Sequence, residues 1–218
     1  MPFQFFRPGE PVAVTRRRLP HWEQEQVAYF VTFRTVDSVP APLVKEWLEA
    51  RDGWLRRQGL DPGLPDWRAR LGRLSPALRE EFRRRFTEKF QDLLDAGHGE
   101  CVLRRPEVAR IVADALLYED GAKYHIGDFV VMPNHVHVLV QLMADTTLKG
   151  QCSSWKRFTA TRINRLLGRR GHFWQGESHD RIVRSAEDVV RYREYIAENP
   201  RKAQLREGEY LLHRGPDL

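Results

Sequence analysis

The sequence has few cysteines and no long apolar run. Its two cysteines, Cys101 and Cys152, form no Cys-x-x-Cys pair, which excludes a disulfide framework and a zinc ribbon. The longest apolar stretches, around Phe129–Met132 and Val136–Val140, are far too short to cross a bilayer, and the first ten residues lack the apolar core of a signal peptide. We therefore expect a cytoplasmic protein that binds no membrane and in which any metal has His, carboxylate or amide ligands.

Lysine is scarce, whereas arginine is abundant. Of the 36 basic residues only six are Lys, and 30 acidic residues leave a net charge of +6. The segment Leu148–Arg206 carries fourteen basic and six acidic residues, whereas the rest of the chain has a net charge of −2. Because guanidinium groups suit phosphate, a polyanionic partner is expected to meet the C-terminal third. Solvated helix faces would give the same imbalance.

Hydrophobic patterning predicts an α+β domain built on an antiparallel sheet. Val27–Thr35 is rich in β-branched and aromatic residues and predicts the first strand. Lys123–Met132 and His135–Leu142, separated only by Pro133-Asn134, predict a hairpin of two well-buried strands. Helices are predicted at Leu43–Leu55, Ser75–Ala96, Pro106–Tyr118 and Ser153–Leu167, and from Ser185 to about Glu198.

The 218 residues, 41% of them hydrophobic and 30% charged, suit one medium domain or one domain with an insertion. Roughly ninety residues separate the first two strands, far more than an ordinary connection. We therefore expect a single domain over 1–218 with a helical insertion at about 41–104. A basic N-terminal segment at 1–26 and a C-terminal tail at 206–218 flank it.

His135 and His137 are the first candidates for chemistry. Residues i and i+2 of a strand share a face, so both imidazoles project to one side while Val136 and Val138 point to the other. Two imidazoles at this spacing can bind one divalent ion. Histidines that face solvent or bond to neighbours would also explain the pattern.

Tyr195 and Asn199 are the second candidate pair. They are four residues apart in the last helix and so share one helical face, which can place a phenol beside an amide oxygen. Taken alone, the tyrosine could serve packing, and Asn before Pro200 could be a helix stop.

The two pairs together fit one mechanism. A divalent ion held by two imidazoles and one oxygen keeps open positions, so it can act as a Lewis acid on a phosphodiester beside a tyrosine nucleophile. Attack by the tyrosine would give a phosphotyrosine and free the neighbouring hydroxyl, which retains the bond energy for rejoining. The basic segment around Tyr195 would hold the strand.

Four segments resemble the REP-associated tyrosine transposases, bacterial members of the HUH single-tyrosine superfamily. They are VVMPNHVHVLV (Val130–Val140), FWQGESHDRIVR (Phe173–Arg184), YREYIAENPRKAQL (Tyr192–Leu205) and the opening LPHWEQEQVAYFVTFR (Leu19–Arg34). The helical passage Pro40–Glu100 has no counterpart in this resemblance. The joint presence of PNHVHVL and a later Tyr-x-x-x-Asn-Pro is the specific part.

The resemblance implies a ferredoxin-like antiparallel sheet with helices packed on one face and the histidine pair on a central strand. Carried over, His135, His137 and Asn199 are ligands of Mg²⁺ or Mn²⁺, and Tyr195 is the nucleophile. The implied substrate is single-stranded DNA folded into REP-like hairpins, cleaved to a 5′-phosphotyrosine and a free 3′-hydroxyl. Tyr192 is the rival nucleophile, but its i+4 residue, Ile196, cannot bind a metal.

Candidate DNA contacts lie on the basic helix and just after it. Lys156, Arg157, Arg162 and Arg165 recur at close spacing and predict a phosphate-binding face, while Trp174 and Gln175 could stack on and bond to an unpaired base. A core position for Trp174 is the alternative. Two other functions stay open, a non-cleaving hairpin-binding regulator and an RNA-binding domain, and the chain could act as a monomer or a homodimer.

Overall fold

The computed structural model describes residues 3–16, 20–64, 66–90, 93 and 96–216, with the backbone alone for 14–16 and 20–22. Parts of the predicted N-terminal segment 1–26 and C-terminal tail 206–218 lie outside these residues. The chain divides into two compact units, one formed by Met1–Val36 with Glu100–Leu218 and one by Asp37–Gly99.

The first unit contains a five-stranded antiparallel sheet and a separate two-stranded ribbon. The ribbon pairs β1 (Ala13–Arg16) with β2 (Pro20–Glu23). The sheet has the order β6-β3-β5-β4-β7, and its strands are β3 (Ala28–Arg34), β4 (Tyr124–Val131), β5 (His135–Leu142), β6 (His179–Ile182) and β7 (Leu211–His213). The predicted hairpin is confirmed as β4 and β5, and its register shifts between Ile126 and Phe129.

Three long helices and a short 3-10 turn (Val102–Arg104) accompany the sheet. The helices are α4 (Pro106–Leu117), α5 (Leu148–Leu166) and α6 (Ala186–Lys202). Helix α5 begins five residues before the predicted Ser153, because the hydroxyl of Thr147 accepts a hydrogen bond from Gly150 N at 3.2 Å and caps it earlier.

Helix α6 also extends beyond its predicted end at about Glu198. Ser185 caps its start as predicted by accepting a hydrogen bond from Asp188 N at 3.3 Å. The helix continues through Pro200 to Lys202. A proline in the last turn removes one backbone donor, but the carbonyls around it keep partners, since Ala203 N donates to Asn199 O and Leu205 N to Pro200 O, both at 3.0 Å.

Both faces of the sheet are covered. Helices α4 and α5 pack on one face against Val136, Val138 and Val140 of β5, and α6 packs on the other against Phe30 and Leu139. This explains why the central strands are apolar on both sides. The predicted α+β fold built on an antiparallel sheet is confirmed, and the sheet is open. The two helices of the β-α-β-β-α-β core share one face as expected, and α6 adds a layer on the other face.

The second unit is helical. It contains α1 (Ala41–Arg57), α2 (Trp67–Leu71), α3 (Pro76–Phe82) and a π-helical segment, Arg83–Glu88. Ser75 caps α3 as the sequence predicts, but the α-helical geometry expected to Ala96 gives way to π-helix at Arg83. The core of this unit is aromatic and aliphatic: Trp54, Leu55, Leu60, Trp67 and Phe86. Among the described residues, no helix is both long and apolar enough to span a membrane.

Candidate active site

The two histidines of β5 lie on the sheet face that α6 covers. His135 and His137 are both 1% exposed, and their ring centroids are 4.7 Å apart. On the neighbouring strand β3, Arg34 is directly opposite His135 and Thr32 is directly opposite His137. Cross-strand partners share a face, so these four side chains form one buried polar patch in an otherwise apolar sheet.

Each imidazole is oriented by a hydrogen bond at Nδ1. Thr32 Oγ1 lies 2.7 Å from His137 Nδ1, and Asn134 Oδ1 lies 2.8 Å from His135 Nδ1. In the tautomer that binds a metal through Nε2, both Nδ1–H groups donate to these oxygens. Metal-binding histidines are commonly held in this way, with the second nitrogen bonded to an outer partner.

Helix α6 brings the predicted nucleophile and third ligand to the histidines. The ring of Tyr195 meets that of His137 edge-on, with centroids 5.1 Å apart, and Tyr195 is half-buried. Asn199, one turn later, is 3% exposed. Its Oδ1 and the Nε2 of His137 are buried atoms that have no hydrogen-bond partner among the described residues. Burying a polar atom without a partner lowers the stability of the fold, unless a bound ligand completes its bonding.

Burial keeps both histidines neutral near pH 7. It lowers the pKa of His135 and of His137 well below 6.5. The neighbouring His137 and then Arg34 lower the pKa of His135 further, and Arg34 lowers that of His137 further. The amide of Asn199 partly offsets this effect on the pKa of His135. Neutral imidazole is the form that binds metal, so these rings are ready to accept a cation without first losing a proton.

The donor set fits a divalent ion. Two imidazole nitrogens and one amide oxygen leave coordination positions open, and this mixed set suits Mn²⁺ at least as well as Mg²⁺, which prefers oxygen. No cluster of three or more His, Cys, Asp or Glu ligands occurs in the described part of the chain. Asn199, as an amide, lies outside those ligand types.

Tyr192, the rival nucleophile, occupies a different position from Tyr195. Its ring stacks on Phe30 at a centroid distance of 4.4 Å and is 7% exposed, so it belongs to the core between α6 and the sheet. Phe30 in turn stacks on His137 at 5.4 Å. Tyr195 contacts the histidine directly, whereas Tyr192 contacts the phenylalanine beside it.

The structure separates the basic residues of α5 from the histidines. Helix α5 packs on the opposite face of the sheet, so its exposed residues Arg157, Arg162 and Arg165 do not share a face with Tyr195. Lys156 Nζ donates to the carbonyl oxygens of Gln175 (3.2 Å) and Gly176 (2.7 Å) and thereby holds the loop after α5.

Trp174 and Gln175 also have structural roles. Trp174 is 6% exposed and donates from Nε1 to Thr159 Oγ1 at 2.8 Å, which matches the alternative of a core position. Gln175 N donates to the carbonyl of Arg34 at 2.8 Å and so extends the edge of β3.

Sequence reasoning missed Thr32, Arg34 and Asn134. Asn134 lies inside the PNHVHVL motif, but its bond to His135 depends on the hairpin turn. Thr32 and Arg34 reach the site only through the register of β3 against β5, which one sequence does not encode locally. The one available signal was the presence of polar residues within an otherwise apolar strand.

Comparison with solved structures finds a distant likeness. The chain is similar to the solved structure of a REP-associated tyrosine transposase bound to a REP hairpin, at 14% sequence identity and a TM-score of 0.41. The alignment covers 86% of this chain and 74% of that one. No family model and no curated protein matches the chain. The functional assignment therefore depends on the geometry of the site itself.

Proposed function

We propose that this protein is a metal-dependent DNA strand transferase that cleaves and rejoins hairpin-forming single-stranded DNA through a tyrosine–phosphate link. The supporting observation is the convergence of Tyr195, His137 and Asn199 on one face of the sheet. Two ligand atoms, His137 Nε2 and Asn199 Oδ1, are buried there without a hydrogen-bond partner among the described residues.

The metal site comprises His135, His137 and Asn199. A bound Mg²⁺ or Mn²⁺ would polarise a non-bridging phosphate oxygen of the substrate. Thr32 and Asn134 hold the two imidazoles in place through their Nδ1 atoms. The edge-on contact between Tyr195 and His137 keeps the tyrosine ring beside the ligands, so a phosphate bound at the site would lie beside Tyr195.

Tyr195 acts as the nucleophile. Its Oη attacks phosphorus, the Oη–P bond forms, and the bond between phosphorus and the 3′-oxygen breaks. The phenolic proton passes to solvent and the departing 3′-oxygen takes up a proton, so the products are a 5′-phosphotyrosine and a free 3′-hydroxyl. Attack by a 3′-hydroxyl on the same phosphorus reverses the step and rejoins DNA without an external energy source.

Arg34 gives the site its positive charge. It is 7% exposed and lies directly opposite His135, and its charge lowers the pKa of both histidines. A buried guanidinium next to the scissile phosphate would stabilise the negative charge that grows on the phosphate oxygens during attack.

The test is the chemistry of the cleaved ends. Single-stranded hairpin oligonucleotides from DNA flanking the gene are incubated with protein and Mg²⁺ or Mn²⁺. We expect one product with a 3′-end that a polymerase extends and one whose 5′-end is attached to protein. Tyr195→Phe or a chelator should abolish both products. Free 5′-phosphate ends would indicate a water nucleophile, and protein-linked cleavage by Tyr195→Phe would indicate Tyr192. Binding without cleavage under any metal would indicate a regulator.

A further inference from the structure

A groove lies at the edge of the sheet, between β6 and α6. Its volume is about 540 Å³, and the residues that we use to define this edge groove are Phe6, Arg181, Arg184, Asp188, Arg191 and Tyr192. None of them is among the predicted DNA contacts. Strand β6 is an outer strand of the sheet, so the groove lies at the edge of the sheet.

The edge groove shares its face of the sheet with the candidate active site. Arg181 is directly opposite Phe30 in the pairing of β6 with β3, and Phe30 stacks on both Tyr192 and His137. Tyr192 precedes Tyr195 by three residues, a rise of about 4.5 Å along the helix. A DNA strand whose phosphate lies at Tyr195 can therefore continue into this groove on the same face of the sheet.

The free positive charge of the groove comes from Arg181 and Arg184, which are both exposed. Two carboxylates also line it, those of Asp180 and Asp188. Asp188 accepts hydrogen bonds from Arg184 N at 3.0 Å and from Arg191 Nη2 at 2.7 Å, so its charge is already compensated.

Aromatic rings complete the lining. The guanidinium carbon of Arg184 lies 5.8 Å from the centroid of Phe6, and that of Arg191 lies 5.2 Å from the centroid of Tyr192. Phe6 is half-buried, so its ring can meet a base while Arg181 and Arg184 bind phosphates, and this combination binds single-stranded nucleic acid. Tyr192, whose ring stacks on Phe30, forms the floor of the groove. A duplex would keep its bases stacked away from such rings.

We propose that the edge groove binds the single-stranded DNA that flanks the scissile phosphate. The proposal rests on the proposed function, because that function places the phosphate at Tyr195. It assigns the binding of the DNA strand to β6 and α6, on the same face of the sheet as Tyr195. The basic face of α5, which the sequence favoured, lies on the opposite side of the sheet.

The test measures binding in a Tyr195→Phe background, where cleavage cannot contribute. Fluorescence anisotropy compares a DNA hairpin that carries a single-stranded flank of about ten nucleotides with the same hairpin lacking it. Arg181→Ala/Arg184→Ala removes two charges from the groove. Arg105→Ala/Arg110→Ala is the matched control, because it removes two exposed charges at helix α4, which packs on the other face.

We expect the groove variant to bind the flanked hairpin at least about tenfold more weakly than the control variant, with equal affinity for the hairpin without a flank. The slope of log affinity against log salt should fall in magnitude by about 1.4, since each lost contact to a single strand contributes about 0.7. Equal affinity of both variants for the flanked hairpin, equal losses on both hairpins, or preference for an RNA flank would overturn the proposal.

The binding test of the groove and the covalent-product test of the proposed function can fail independently. If wild-type protein forms the covalent product while the groove variant binds like the control, only the groove assignment fails. If the groove variant loses affinity for the flank but wild-type protein forms no covalent product, only the strand-transferase assignment fails. Failure of the Tyr195→Phe protein to bind any hairpin would overturn the groove assignment.

Discussion

Thr32→Val tests how the site holds His137, one of the proposed metal ligands. Valine has nearly the shape of threonine but lacks the hydroxyl, so the change removes the 2.7 Å contact between Thr32 Oγ1 and His137 Nδ1 and little else. Thr32 is 6% exposed, so water cannot readily replace the lost partner. The imidazole of His137 then has a buried Nδ1 without an acceptor and is free to rotate or change tautomer.

The expected magnitude follows from two effects. A buried polar group left unpaired costs about 1–3 kcal/mol of folding free energy. Loss of the partner that orients a metal-binding histidine lowers metal affinity by about 10- to 100-fold, or about 1.4–2.7 kcal/mol. Thr159→Val is a matched control, because Thr159 is also buried and hydrogen-bonded, to Trp155 O at 2.7 Å, but packs on the opposite face.

The assay is titration with Mn²⁺, followed by calorimetry or by the loss of the free-ion paramagnetic signal. Thr32→Val should bind Mn²⁺ at least about tenfold more weakly than wild type. Thr159→Val should lose stability in chemical denaturation but keep wild-type Mn²⁺ affinity. Equal Mn²⁺ affinity of Thr32→Val and wild type would refute the idea that this hydroxyl orients a ligand.

Three further predictions concern stability. Asp128 is 1% exposed and forms ion pairs with Arg193 of α6 (3.2 Å) and with Arg214 (2.8 Å). Asp128→Asn should therefore lower the free energy of unfolding in denaturant by about 3–5 kcal/mol, and a loss below about 1 kcal/mol would contradict this role. Gly127→Ala should lower the free energy of unfolding by about 1–3 kcal/mol, because the added Cβ would lie 2.9 Å from the ring of Phe3. Gly176→Ala, with open space around it, should leave the free energy of unfolding nearly unchanged. Equal effects of the two substitutions would contradict this packing. Because burial lowers the pKa of His135 and His137 below 6.5, the unfolded chain binds protons that the folded chain does not. The free energy of unfolding should therefore fall as pH drops below about 6.5, by up to about 1.4 kcal/mol per pH unit for each histidine. This acid slope should become shallower in His135→Gln/His137→Gln, and an unchanged slope would contradict the lowered pKa values.

The residues that sequence analysis could place were those whose geometry is local. Strand alternation alone puts His135 and His137 on one face, and the helical repeat alone puts Tyr195 and Asn199 on one face. Neither periodicity says that the two faces meet. That contact requires α6 to cross the sheet on the side opposite α4 and α5, and no residue spacing encodes it.

The remaining differences come from tertiary context. The basic residues of α5 are spaced as predicted, but the side of the sheet on which the helix packs decides whether they can reach the site. From the sequence Trp174 could equally be a stacking platform or a core residue, whereas its burial and the bond from its indole to Thr159 favour the core. Thr32 and Arg34 enter through strand register, which depends on the whole sheet rather than on either strand.

The most direct measurement of the central claim is to map the covalent link. Protein that has reacted with a single-stranded hairpin in the presence of Mn²⁺ is digested with protease and nuclease, and the peptide that carries a nucleotide is sequenced by mass spectrometry. The site geometry predicts a phosphodiester link on Tyr195, absent from Tyr195→Phe and from protein treated with a chelator, and retained in Tyr192→Phe. A link on Tyr192, or one that forms without a divalent ion, would contradict the arrangement of nucleophile and ligands described above.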